Sequence, residues 1–390
     1  MLDFQFYSPT YFEFGRKAEE KTGELVKRFG GKKVLLHYGG GSVVRSGLLL
    51  RVKESLDQQQ IEYVELGGVV PNPRASKVYE GIDLVRAEKV DFILAVGGGS
   101  VLDSAKAIAV GAPYTGDFWE LYEKMIPVEE VMKVGCVITL PATGSEASAS
   151  SVISNEEKKM KYGYGSDLIR PVFSVMNPEL TFTLPAYQTA CGAVDILSHI
   201  LERYFSNTEG CDLTDRLSEA TMKSVIENTL TVMEEPENYD ARANMFWAGT
   251  IAHNNLLGVG KEQDWSSHAM EHELSALYDV AHGAGLAVVL PAYMTYVLPQ
   301  HVLRFAQLAH RVWDIEMNFS NPEITALMGI NAFVEFFKEI GMPTTLQELG
   351  AKEEDIPYLA EHCRIKKGDK LGNFEPLTRE QIAEVYRLML

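Results

Sequence analysis

The chain has 390 residues, more than the roughly 250–300 that one hydrophobic core normally serves, so two domains are expected. Hydrophobic residues make up 46% and charged residues 23% of it, the balance of an ordinary globular protein. The net charge of −18 opposes binding to nucleic acid or an anionic membrane. No run approaches the ~18 apolar residues of a membrane span.

The cysteines Cys136, Cys191, Cys211 and Cys363 form no CxxC pair and suggest no disulfide framework. The opening residues, Met1 to Tyr7, lack the basic and apolar regions of a secretion signal. A cytoplasmic protein with free thiols is expected.

In chain order, Lys33 to His37 reads as a buried strand ending at Gly39-Gly40-Gly41-Ser42. A helix over 48–60, a strand over 61–66 and a helix over 79–88 follow. Asp91 to Val96 is a second buried strand, then come Gly97-Gly98-Gly99-Ser100 and a helix over 101–110. Strands over 135–139 and 171–176 complete an alternation that implies a mostly parallel sheet with both faces covered. After Leu184-Pro185 the periodicity is almost purely helical: 212–232, 239–254, 266–278, 303–313, 330–340 and 379–390. Thr378-Arg-Glu-Gln381 is a capping box for the last of these. The expected domains are 1–185, α/β, and 186–390, all-helical.

Gly97 to Ser100 joins a strand to a helix. Glycines there let a backbone approach a pyrophosphate at a helix N-terminus, although Leu102 stands where the dinucleotide fingerprint has its third glycine. A phosphate cradle and a plain tight turn are both open. Gly39, Gly40, Gly41 and Ser42 follow the first strand in the same way. Between His37 and Ser42 there is no acid for ribose hydroxyls, and Arg45 is close, which suits the 2′-phosphate of NADP over NAD. The hydroxyl-rich run Thr139 to Glu146 reads equally as a ribose and phosphate loop or as a turn. Lys161, in Lys158-Lys-Met-Lys161, reads as part of a solvated charged hairpin or as a ribose or phosphate contact.

Asp195 and His199 are four apart within a helical run, so both can face one ion. His268 and His282 form a second pair. Three imidazoles and one carboxylate suit a divalent transition metal such as Zn or Fe(II). His272 shares a helical face with His268 and reads as ligand, proton relay or packed histidine. Phe246, Trp247, Asn254, Leu257, Val259 and Trp265 are candidates for a pocket wall.

Together these motifs resemble the iron-containing (group III) alcohol dehydrogenase family, within it the butanol dehydrogenase and NADPH-dependent aldehyde reductase branch. The resemblance runs from Phe6-Tyr-Ser-Pro-Thr10 through Gly97-Gly-Gly-Ser-Val-Leu-Asp103-Ser-Ala-Lys106, Pro141-Ala-Thr-Gly-Ser-Glu146 and Asp195-x3-His199 to Gln263-Asp-Trp265-x2-His268-x3-His272-Glu273 and His282-Gly283. It implies an α/β plus all-α fold of dehydroquinate synthase-like architecture, with the active site in the cleft. It implies Asp195, His199, His268 and His282 as ligands of iron or zinc, with His272 a non-ligand beside the nicotinamide. It puts Gly98, Gly99 and Ser100 at the pyrophosphate and Asp103, Thr139, Thr143 and Lys161 at other cofactor positions. Gly39 to Ser42 matches members that prefer NADPH, NAD remaining possible. The implied reaction is hydride transfer between the cofactor and a small primary alcohol or aldehyde such as butanol or butanal. A polyol dehydrogenase is the alternative, and a dehydroquinate synthase-like lyase a more distant one. A homodimer is implied, with 4–14 at its interface.

Overall fold

The structure is a computed structural model of residues 1–390, and all of them except Lys366 and Lys367 are described below. The chain divides into two compact units. One comprises Tyr7–Leu184 and Glu237–Thr250, the other Met1–Phe6, Pro185–Pro236 and Ile251–Leu390. The main division falls at Leu184/Pro185, but each unit also takes a segment from beyond it, so a single cut at 185/186 does not describe the units.

The first unit is built on a six-stranded sheet of order β1-β8-β5-β4-β2-β3. Its strands are β1 (Tyr11–Phe14), β2 (Lys33–Gly39), β3 (Glu62–Val69), β4 (Phe92–Gly97), β5 (Lys133–Ile138) and β8 (Phe173–Met176), all paired in parallel. A separate antiparallel hairpin joins β6 (Ser150–Asn155) to β7 (Met160–Gly165). Among the longer helices, α1 (Leu48–Gln58), α2 (Ala75–Glu88) and α3 (Gly99–Gly111) make the crossovers.

The central strand β4 shows why both faces are covered. Phe92, Leu94 and Val96 join one apolar cluster with Val52 and Leu56 of α1. Ile93 and Ala95 join the other with Val78 and Ile82 of α2 and Leu102 and Ile108 of α3. Alternate side chains point to opposite faces, so a strand apolar at every position needs cover on both. From β2 the chain runs outward to β3, then returns to place β4 on the other side of β2. That reversal is the position in an open parallel sheet where loops diverge and leave a crevice.

The second unit is helical. Its longer helices are α4 (Ala186–Tyr204), α5 (Asp212–Glu234), α7 (Ser266–Tyr278), α8 (His282–Val297), α9 (Val302–Trp313), α10 (Pro322–Glu339) and α11 (Arg379–Arg387). Of α6 (Tyr239–His253), the residues up to Thr250 group with the sheet. Helix α4 packs against α5 and α8, and α7 against α8. Among the described residues no helix is long and apolar enough to cross a membrane. All four cysteines are buried and unpaired.

The expected capping box is formed: Thr378 accepts a hydrogen bond from the Gln381 backbone, and Gln381 reaches back to the Thr378 N–H. Replacing Thr378 by Ala should destabilise the helical unit by about 1 kcal/mol, measured as a lower denaturant midpoint. An unchanged midpoint would show that the last helix is held by packing alone.

Candidate metal centre and nucleotide loops

Helix α4 carries Asp195, His199 and Glu202 on one face through spacings of four and three. Helix α7 carries His268, Glu271 and His272, and His282 is the first residue of α8. Asp195 Oδ1 lies 3.5 Å from His199 Nδ1, 3.7 Å from His268 Nε2 and 3.8 Å from His282 Nε2. A tetrahedral ion with bonds of about 2.0–2.2 Å holds its donors roughly 3.3–3.6 Å apart. Asp195 Oδ1, His199 Nδ1 and His268 Nε2 are buried with no hydrogen-bond partner among the described residues. Buried polar atoms are normally satisfied, so three orphaned atoms around one carboxylate oxygen fit a cation. Donor atoms of Asp195, His268 and His282 lie within 4.8 Å of one another, whereas His199 is near through Asp195 and is not part of that group.

Two carboxylates missed in the sequence back the imidazoles. Glu202 accepts the His268 backbone N–H at 3.0 Å through one oxygen, and His268 Nδ1 contacts the other. His282 Nδ1 contacts Glu271. Their signal was present as Asp195-x3-His199-x2-Glu202 and His268-x2-Glu271, the i, i+3 spacing of a shared helix face. Asp264, also missed, anchors the chain before α7 by accepting the Asn373 and Phe374 N–H groups and the Tyr293 hydroxyl.

The electrostatics divide the histidines. Burial, with the charges of His253 and His268, lowers His199 well below its ordinary range. Burial also opposes charge on His268, but the Glu202 and Asp195 carboxylates outweigh it and raise that imidazole to about 9. The carboxylates thus favour positive charge at the centre.

His272 is half-buried, its ring 5.7 Å from His282 and 6.4 Å from His268. Glu271, His272 and His282 form a second trio close enough to share an ion. In that trio Glu271 and His282 already occupy one another, which leaves the Asp195 group as the stronger candidate. Trp265 borders the centre, 5.3 Å from the His268 ring and 6.0 Å from His199. Phe246, expected in the pocket wall, is instead fully buried in the core of the sheet unit. Trp247 packs edge-on against Phe12 at 5.3 Å.

In the sheet unit, Gly39–Ser42, Gly97–Ser100 and Thr139–Thr143 follow the carboxyl ends of β2, β4 and β5, adjacent strands at the topological reversal. The loops approach closely. A Cβ at Gly99 would lie 2.4 Å from Thr143 Oγ1, so glycine is required where loop meets helix. Gly98 caps α3, whose first-turn N–H groups include those of Gly99 and Ser100. Asp103 accepts from the Ser145 hydroxyl at 2.6 Å and the Val152 N–H at 2.9 Å, tying the Thr139–Glu146 run to the hairpin. Lys161 is 5% exposed, so the solvated-hairpin reading fails for it.

Lys106 was not singled out from the sequence. It is fully buried, burial lowers its ammonium to about 8, and it donates to the Ser145, Ser148 and Ser150 carbonyls at 2.6–3.0 Å.

Comparison with known proteins decides the family. Residues 9–178 match the model of iron-containing alcohol dehydrogenase, and residues 189–390 match that of its C-terminal region. The chain belongs to the iron-containing alcohol dehydrogenase family. It is 40% identical to NADH-dependent butanol dehydrogenase A of Clostridium acetobutylicum, with 99% of each chain covered. It is 37% identical to the NADPH-dependent aldehyde reductase YqhD of Escherichia coli, again over 99% of each. A solved structure of NADH-dependent butanol dehydrogenase A from Thermotoga maritima superposes with a TM-score of 0.96 at 41% identity, covering 100% of this chain and 99% of that one.

Gly99→Ala should displace the Thr143 loop, cost about 1–3 kcal/mol of stability and weaken nicotinamide nucleotide binding. Fluorescence titration with unaltered affinity would separate that contact from the cofactor site.

Proposed function

We propose that this enzyme of the iron-containing family interconverts straight-chain primary alcohols and aldehydes of about the size of butanol and butanal, with NADPH preferred over NADH. The reaction class, NAD(P)-dependent alcohol and aldehyde oxidoreduction with a divalent metal, follows from membership. Asp195, His199, His268 and His282 are assigned as the ligands. The observation that carries this is the orphaned Asp195 oxygen with three imidazole nitrogens at 3.5–3.8 Å. Iron or zinc suits this donor set.

A bound ion there supplies Lewis acidity to the substrate oxygen, making the carbonyl carbon a better hydride acceptor. A bound nicotinamide supplies or accepts the hydride. The chain's own residues do the rest. Asp195 holds the ligand charge, and Glu202 and Glu271 orient His268 and His282. His272 is assigned to move the proton that the substrate oxygen gains or loses. Trp265 presents an aromatic wall beside the donors, which favours an aliphatic chain. That the relatives named for butanol dehydrogenase cover the chain end to end supports the substrate size.

For the cofactor, Gly98, Gly99 and Ser100 are assigned to the pyrophosphate and Asp103, Thr139, Thr143 and Lys161 to support of the remainder. Gly39 to Ser42 are assigned to the adenosine end. Relatives named for NADH and for NADPH are both found, and the preference proposed here is read from the loop. No acid lies between Gly39 and Ser42, and the Arg45 guanidinium reaches over Gly41.

Free buried thiols suit a cytoplasmic enzyme. Exposed aromatics at Phe4, Phe6, Tyr7 and Phe14 support a homodimer through this segment.

His268→Ala should abolish both metal retention and butanal reduction, whereas His272→Ala should keep the metal and slow turnover by about 10²-fold. Full activity in the first variant, or metal loss in the second, would overturn the ligand set. A Cβ at Gly40 meets nothing closer than the Val69 carbonyl at 4.0 Å, so an aspartate fits there. Gly40→Asp should weaken NADPH binding at least about tenfold more than NADH binding, through repulsion of the 2′-phosphate. Equal losses would move the 2′-phosphate elsewhere.

A further inference from the structure

His282 is the most exposed of the four candidate ligands. It opens α8 directly after a turn in which Asp279 has a φ of 53°. Its side chain is 24% exposed, against 8% for His268 and 6% for His199. His268 is held at both its backbone and its ring by Glu202. Packing alone therefore restrains the His282 ring less, and its orientation depends more on what its other nitrogen touches.

That partner is Glu271, which is fully buried. One of its oxygens contacts His282 Nδ1, and the other accepts from the Ser275 hydroxyl one turn further along α7. The same Ser275 hydroxyl lies 3.3 Å from the Val280 carbonyl, in the turn leading to His282, so its one proton is shared between carbonyl and carboxylate. The space for the carboxylate exists because residue 285 is glycine: a Cβ there would lie 2.8 Å from Glu271 Cγ and from Oε1.

We propose that Glu271 is a positioning residue for the metal centre, one that selects the His282 tautomer and aims its Nε2 at the ion, with Ser275 and Gly285 completing its seat. This rests on the ligand assignment proposed above. With Nδ1–H donated to Glu271, the lone pair of His282 is on Nε2, the atom 3.8 Å from Asp195 Oδ1. A carboxylate in this position also raises the donor strength of the imidazole, and its loss typically costs 10–100-fold in metal affinity. Helix α7 thus carries one ligand, His268, and three residues later the group that orients another.

The test is Co2+ binding to the stripped full-length protein, read by chelator competition and by the visible d–d absorption. The variants are E271Q, S275A and G285A, with D195N as the control for the site. E271Q keeps the shape and loses the charge, and should weaken Co2+ binding about 10–100-fold and change the absorption band. G285A should shift both in the same direction by crowding the carboxylate, and S275A should do so less. Unchanged affinity and spectrum in folded E271Q would overturn the assignment of Glu271 alone. If the parent protein takes up no Co2+, or D195N binds as the parent does, the ligand reading beneath it fails. A lowered melting temperature in E271Q with parental affinity and spectrum would mark a merely structural role and equally overturn the proposal.

Discussion

A carboxylate buried beside three imidazoles is the constraint around which the helical unit is arranged. Asp195 is 3% exposed, and its Oδ1 has no hydrogen-bond partner among the described residues. Leaving such an oxygen uncompensated costs several kcal/mol, far more than a typical surface ion pair returns. A divalent cation bound there, as proposed, would remove that cost and take up the orphaned nitrogens of His199 and His268 at the same time. The demand explains local choices that packing does not: helix α4 keeps polar residues at 195, 199 and 202 on a face that is otherwise core. It also explains why Glu202 and Glu271 are buried with the imidazoles rather than with lysine or arginine.

The sheet unit meets a different demand with backbone instead of side chains. Three loops leave adjacent parallel strands where the strand order reverses, and those after β4 and β5 meet too closely at Gly99 for any side chain there. A buried lysine holds the third loop from beneath. Lys106 shares its ammonium protons among the carbonyls at 145, 148 and 150 and the Ser148 hydroxyl. A lysine used in this way sets the shape of a loop more than it adds net stability, since its desolvation offsets much of what the hydrogen bonds contribute.

Much of this was legible in the sequence because it is periodic. Strands β2 and β4 are apolar runs ended by glycines, and both are central in the sheet. The juxtaposition of Asp195 with His199 follows from the helical repeat alone, and the structure brings His268 and His282 to the same oxygen. What failed to show has physical causes. Strand β1 is four residues long and joins the sheet only through β8, far away in sequence. The first turns of α10 carry exposed Ile324, Leu327 and Met328, which blurs the polar face that marks an amphipathic helix. Phe246 looked like pocket lining because aromatic character does not say which way a helix faces. Lys106 is held by groups about forty residues further along the chain, which no local window contains, and the burial of Lys161 is not marked in its run of lysines. The carboxylates behind the imidazoles were readable in principle from their spacing, but Glu is common on helices and only the imidazole contacts give these two a role.

The most direct test of the account is metal-resolved activity. The protein would be stripped with a chelator, then titrated with Zn2+ or with Fe2+ under anaerobic conditions while butanal-dependent NADPH oxidation is followed. One equivalent of ion per chain restoring full turnover, with NADPH used faster than NADH, is the predicted result. Full turnover by the stripped protein, or an ion bound without any aldehyde reduction, would contradict it.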